Sequence, residues 1–304
     1  MIGKKIQAVL IQPGLCVQTI SRLYNPVLSW PKQFFPFSKK ASSTKSCIIV
    51  NGLPKSGTHL LHRMVECMHQ WESVPVHLNN RLTDHIRPSG GWTTHACFSH
   101  HAVKRLRNGQ LAGAHLRRTE PLVKILNAET PERRVKHLFI YRDPRDAFVS
   151  MINFVTYSDK NLKTPAGRRM RKFMLEQFAS DQERLLWYMQ TKVDWDYEGY
   201  HAWLKDENCF CVKFEDLYTE CLGCEKGQWG ATIRKIFNFL EVDLNQFDPK
   251  TFHSEVYGKS RTANNDVKDK IDQYKHIFRQ EHYELLKTPH FVKAITGFGY
   301  SMND

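Results

Sequence analysis

A chain of 304 residues has room for one large α/β domain or two small ones. Its 41% hydrophobic and 12% aromatic residues can fill a core, and a mean hydropathy of −0.51 argues against an integral membrane protein. Lys and Arg (44) outnumber Asp and Glu (31), leaving a formal net charge of +13 that calls for anionic partners such as phosphorylated cofactors, acidic sugars or a membrane surface. The cations are spread along the chain with no long block, so a solvated basic surface is preferred and no nucleic-acid partner is expected.

Residues 1–44 read as an accessory arm. Ile2, Ile6, Val9 and Leu10 share one helical face up to Pro13, and Val17, Ile20, Leu23 and Tyr24 suit a second up to Pro26. The segment is too polar and interrupted to span a bilayer. An arm packed over the domain or walling the acceptor site is preferred; peripheral membrane contact through residues 1–40 is the alternative. Residues 45–304 suit a single domain. The run Cys47-Ile48-Ile49-Val50 is short and β-branched and predicts a buried parallel strand. A turn, Asn51 to Thr58, leads to Leu60, Leu61, Met64, Val65 and Met68 at helical spacing.

Residues 69–111 are irregular, rich in His, Asn, Gly, Trp and Thr. They predict a substrate-binding excursion or partial disorder. The spacing of His77, His85, His95, His100 and His101 specifies no metal geometry; lining an acceptor pocket, or exposure, is expected. Residues 112–116 (AGAHL) predict a short strand ending on His115, and 121–128 a helix with Pro121 near its start. Residues 136–141 (KHLFIY) predict a second buried strand that runs into RDPRDAFVSMINFV. There Pro144 pre-sets a helix whose apolar face is Phe148, Met151, Ile152 and Val155. Between about 166 and 204, Phe173, Leu175, Phe178, Leu185, Leu186 and Met189 predict one long helix, and HAWLKD the end of another. CFCVKF (209–214) predicts a strand, 227–240 an amphipathic helix, and 267–287 basic, mostly helical structure.

The eight cysteines include the short pairs Cys209/Cys211 and Cys221/Cys224, which raise zinc. Cys209 and Cys211 alternate within a strand pattern, however, and packing accounts for both, so no metal is expected. With no cleavable secretory signal, a reduced, cytoplasmic setting is expected. Strands alternating with helices predict an α/β fold that is P-loop-like, with a central, mostly parallel sheet flanked by helices on both faces.

Strand, glycine-bearing loop and helix start together make a phosphate cradle at 51–58. The loop GLPKSGT has the G-x4-G spacing of a nucleotide P-loop. Yet Gly57 is followed by Thr58-His59, where an ATP loop places Lys and Ser or Thr. The lysine sits inside the loop, at Lys55, close to the phosphate end of a nucleotide. This counts against an ATP-dependent phosphotransferase, which is kept as a lesser alternative. The loop, His115 and Arg142 all follow candidate strands. Ligands in such sheets bind beyond the strands' carboxyl ends, so these residues converge on one edge.

These motifs resemble the cytosolic-type sulfotransferases, which use 3'-phosphoadenosine-5'-phosphosulfate (PAPS). The family loop P-K-S-G-T-T-W appears as Pro54-Lys55-Ser56-Gly57-Thr58-His59-Leu60. The R-x7-S segment appears as Arg142 to Ser150, the catalytic histidine of K-T-H-L-P as His115, and Y-E-D-L as Phe214-Glu215-Asp216-Leu217. The resemblance covers about residues 45–285. It implies that Lys55 stabilises the leaving phosphate and that His115 is the general base. It puts Ser56, Gly57, Thr58 and His59 around the 5'-phosphate, and Arg142 and Ser150 on the 3'-phosphate. It implies direct in-line transfer with 3',5'-diphosphoadenosine as product, no metal and no covalent enzyme intermediate.

Several positions depart from the family pattern. Gly113-Ala114 replace the lysine side of the histidine motif, and Arg117 its proline. Leu60 replaces a tryptophan, and Phe214 an adenine-side tyrosine. If Tyr274 matches the family's late tryptophan, Lys268 falls on its lysine; Lys270 and Arg261 are rivals for the second 3'-phosphate contact. The dimer motif survives only as Lys275-HIF-Arg279-Gln280-EHY-Glu284, so a monomer or weak homodimer is expected. The expected acceptor is a small molecule bearing a hydroxyl or amine, with a carbohydrate or glycolipid second.

Overall fold

A computed structural model describes residues 46–79, 99–191, 197–257 and 270–303. The N-terminal arm, His85, His95, Arg261 and Lys268 lie outside the described residues. Five strands form one sheet: β1 (Cys47–Gly52), β2 (Glu72–Asn79), β3 (Gln110–His115), β4 (Val135–Tyr141) and β5 (Cys209–Lys213), in the order β2-β3-β1-β4-β5. Every pairing is parallel. The central position of β1 explains its unbroken apolar run, since both its faces are covered and all six residues are buried.

Besides short α-helices at Asp159–Leu162 and Tyr197–His201, the α-helices among the described residues are α1 (Thr58–Glu66), α2 (Ser99–Arg105), α3 (Glu120–Asn127), α4 (Pro144–Tyr157), α5 (Pro165–Gln177), α6 (Asp181–Thr191), α7 (Phe214–Cys224), α8 (Ala231–Leu240), α9 (Pro249–Val256), α10 (Gln273–Ile277), α11 (Gln280–Leu286) and α12 (Pro289–Gly297). On one face, Ile48, Val50, Leu138 and Ile140 pack with side chains of α1, α7, α8 and α9. On the other, Phe139 stacks on Tyr200, and α4 lies against α5, α6 and α12. The expected α/β architecture is thus present, with helices on both faces.

Several elements differ from expectation. The stretch 69–111 is not irregular throughout, because it contains β2 and α2. Among the described residues β2 is an edge strand paired with β3 alone, and its register shifts between Ser73 and His77, around Pro75. A proline and a register break erase the alternation that marks a strand, and an edge tolerates both. The long helix expected from Phe173 to Met189 is two helices, α5 and α6. Ser180 Oγ accepts the Glu183 N–H at 3.3 Å, while Glu183 Oε2 accepts the Ser180 and Ala179 N–H groups at 3.3 and 2.7 Å. This S-x-x-E capping box restarts the chain as α6. β5 ends at Lys213, so Phe214 opens α7 instead of closing a strand. The helix expected at 227–240 begins at Ala231, where Glu220 accepts the Thr232 and Ile233 N–H groups, both at 2.9 Å. In 267–287, an extended Phe278-Arg279 step divides α10 from α11.

The carboxyl ends of β1 and β3 are fastened by one side chain. Asn51, fully buried in β1, donates from Nδ2 to the Leu116 carbonyl at 2.9 Å. Its Oδ1 accepts the Leu116 N–H at 2.7 Å and the Gly52 N–H at 2.9 Å. Asn51→Ala would leave two buried N–H groups without their acceptor. It is expected to cost about 2–4 kcal/mol, read as a lower urea midpoint at unchanged slope. A loss below about 0.5 kcal/mol would contradict this role.

Candidate active site

The loop after β1 is shaped by unusual backbone. Lys55 (φ 69°) and Gly57 (φ 92°) are both left-handed. At Gly57 glycine is required twice over. A Cβ there would lie 2.4 Å from Phe214 Cδ2, and that φ suits glycine. The Ser56 hydroxyl bonds to the Leu53 and Ile140 carbonyls at 2.6 and 2.9 Å, and its N–H donates to Leu53 at 3.1 Å. Sequence reasoning aimed that hydroxyl at a phosphate; in the structure it pins the loop to β4. The N–H groups of Gly57 and Thr58 make no hydrogen bond to the described residues. Thr58 Oγ1 is buried with no hydrogen-bond partner among the described residues. These groups stand at the start of the nine-residue α1, where the helix dipole favours an anion. The Lys55 ammonium lies 4.3 Å from the centroid of the Phe154 ring on α4. His59 is exposed on the first turn of α1.

His115 ends β3, half-buried. Its Nδ1 lies 2.7 Å from the Gly52 carbonyl oxygen. A carbonyl can only accept, so Nδ1 carries the hydrogen and the neutral ring holds its lone pair on Nε2. The His77 ring is 4.5 Å from that of His115. Burial pushes the His77 pKa well down, and the neighbouring His115, His59 and His62 act in the same direction.

Arg142 follows β4 and is 4% exposed. It donates to the Lys270 carbonyl and, at 3.4 Å, to the Lys55 carbonyl, so it joins the loop to the C-terminal segment. Its guanidinium lies 4.5 Å from the Phe214 ring centroid and 3.5 Å from Asp146 Oδ2, while its Nε has no hydrogen-bond partner among the described residues. Phe214 is therefore walled between Gly57 and Arg142, with 4% of its surface exposed. Ser150 sits half-buried on α4, eight residues beyond Arg142. The Lys270 ammonium stands 5.8 and 5.5 Å from the Tyr218 and Tyr257 rings. Burial first, then the charge of Arg142, pushes its pKa down.

The loop, His115 and Arg142 therefore meet at the carboxyl edge of the sheet, as their positions after strands predict. Arg261 and Lys268 lie outside the described residues. No group of three or more His, Cys, Asp or Glu among the described residues could hold a metal ion. Both zinc-like cysteine pairs are free thiols. Sequence reasoning assigned no supporting role to four residues, although it named His77 as a pocket or exposed histidine and Glu215 within the family match. Asn51 fastens the ends of β1 and β3 beside His115, and the His77 ring lies against that of His115. Asp146 accepts the Asp272 and Tyr274 N–H groups at 2.9 and 3.1 Å. Glu215 accepts the Asp143 N–H at 3.1 Å and the Tyr300 hydroxyl at 2.8 Å, tying the start of α4 to the C-terminal residues. The RDPRD spacing places an acid four residues after Arg142, which is the one sequence signal for Asp146.

A family model described as a sulfotransferase domain matches residues 45–293. No curated protein matches the chain in sequence. Among solved structures, mouse sulfotransferase SULT7A1 complexed with PAP aligns at a TM-score of 0.40 and 15% identity, covering 84% of this chain and 88% of that one. Among the described residues, no helix is long and apolar enough to cross a membrane.

The Asp146 carboxyl carries a pH signature. Burial pushes its pKa from 3.8 up to about 6, against Arg142 and the two backbone donors. A raised carboxyl binds its proton more tightly in the fold than in the unfolded chain. Its contribution to stability is therefore full below about pH 4 and is lost as pH rises through about 6. The shift corresponds to about 3 kcal/mol. Asp146→Asn cannot ionise, so its stability relative to the wild type should rise between about pH 4 and pH 7.5, as read by urea unfolding. A difference that stays flat across that range would contradict the assignment.

Proposed function

The chain belongs to the sulfotransferase-domain family, and we propose that it transfers the sulfuryl group of PAPS in line to a hydroxyl or amine of a small-molecule acceptor. The observation that carries the mechanism is the bond from His115 Nδ1 to the Gly52 carbonyl. It fixes the tautomer that leaves Nε2 basic, at the rim of the loop that bears Lys55. His115 takes the acceptor's proton on Nε2 as the acceptor oxygen or nitrogen bonds to sulfur. PAPS supplies a sulfuryl group activated on a phosphate, and 3',5'-diphosphoadenosine leaves when the sulfur–oxygen bridge breaks.

The unpartnered Thr58 hydroxyl and the N–H groups of Gly57 and Thr58 suit the 5'-phosphate. Lys55 neutralises the charge that gathers on the leaving oxygen. Arg142, with its unpartnered Nε, and Ser150 serve the 3'-phosphate. Ser56 contributes through the shape of the loop. Lys270, beside Arg142, is favoured as the further 3'-phosphate cation; Arg261 and Lys268 are its rivals. A carbohydrate acceptor is the second reading, favoured by the net charge of +13.

Lys55→Ala and His115→Ala are each expected to lower kcat by about 10²- to 10⁴-fold while the fold survives, measured as sulfuryl transfer alongside thermal unfolding. Full activity in both folded variants would overturn the mechanism. 3',5'-Diphosphoadenosine should raise the unfolding temperature and ATP should not. Stabilisation by ATP alone would favour phosphoryl transfer.

A further inference from the structure

We propose that His77 is a positioning residue for His115, holding the ring so that Nε2 faces the reacting proton; this rests on the reading of His115 as the base. His77 lies on the neighbouring strand β2, paired in register with Gly113. Gly113 and His115 are two apart on β3 and so share one face of the sheet. The pairing therefore leans the His77 ring along β3 against His115. The rings meet at 4.5 Å between centroids and 50° between planes.

The seat for His77 depends on Gly113. A Cβ at that position would lie 3.2 Å from His77 Cδ2 and 3.5 Å from His62 Cδ2. The first separation is tighter than ordinary van der Waals contact, so a methyl there requires the imidazole to shift by a few tenths of an ångström. His115 is thus held from two sides, by the Gly52 carbonyl at Nδ1 and by the His77 ring. A ring pinned at one atom alone can pivot about that bond. A second contact removes that freedom, and alignment of a catalytic group is a large part of its effect on rate.

The neutral state of His77 supports the same role. Burial, then the imidazoles of His115, His59 and His62, disfavour its charged form. His62 in turn lies 3.5 Å from Glu66. When His115 takes up a proton, the ring packed against it carries no opposing charge.

The test compares wild type, His77→Ala, His77→Phe and Gly113→Ala in the full chain. Two readouts are taken: kcat and KM for PAPS, and the motion of the His115 ring by nitrogen-15 NMR relaxation of the imidazoles. His77→Ala and Gly113→Ala are expected to lower kcat about tenfold or more at little-changed KM. In both, the Nδ1–H tautomer set by the Gly52 carbonyl should stay while the His115 ring gains motion about that bond. His77→Phe restores a ring in the same seat and should recover most of the loss. A His115 ring as rigid in both Ala variants as in the wild type would overturn the proposal. A mobile ring with unchanged kcat would leave the positioning standing and count against His115 as the base.

Discussion

The candidate site depends on what happens at Asn51 and Gly52, the last two residues of the central strand. Asn51 turns its amide across to β3 and closes on both backbone groups of Leu116. Gly52 offers its carbonyl to His115 and runs so close to β4 that a Cβ would lie 2.7 Å from the Ile140 carbonyl oxygen and from Thr58 Oγ1. Three strand ends, the loop after β1 and the proposed base therefore meet within two residues. Buried polar groups of this kind are costly when unpaired, so their pairing selects one arrangement of the strand ends.

A second set of contacts holds the far side of the site. Arg142 and Asp146 are both buried, which is tolerable because each is paired and hydrogen-bonded. Asp146 receives two backbone N–H groups from the segment after residue 270, and Arg142 donates to the Lys270 carbonyl. Glu215 draws Tyr300 to the start of α4. Residues scattered from 55 to 300 are thus assembled around the loop by hydrogen bonds from side chains, most of them to backbone groups. Those bonds position groups without any requirement for sequence proximity.

The fold was legible in the sequence where a segment is buried on both faces or strongly amphipathic. β1 and β4 stand out as apolar runs, and Pro144 marks the start of α4. The signal failed at β2, where Pro75 and a register shift remove the alternation. It failed also at residues 178–180, where the capping box at Ser180 and Glu183 interrupts a helical period that runs on in the hydrophobic pattern. In the site, Lys55, His115 and Arg142 were legible because their types and spacing carry chemistry. Asn51, His77 and Asp146 were not. Their roles come from partners 36 to 128 residues away, and no local pattern reports such a partner. Ser56 is the converse case, since its residue type suggested a phosphate ligand and its burial gave it a structural task.

The most direct test of the central claim is transfer from sulfur-labelled PAPS to a panel of phenols, alcohols, amines and sugars. The account predicts that label moves to at least one acceptor as 3',5'-diphosphoadenosine is released in equal amount. Release of neither product across the panel, with phosphoryl transfer from ATP in its place, would contradict it.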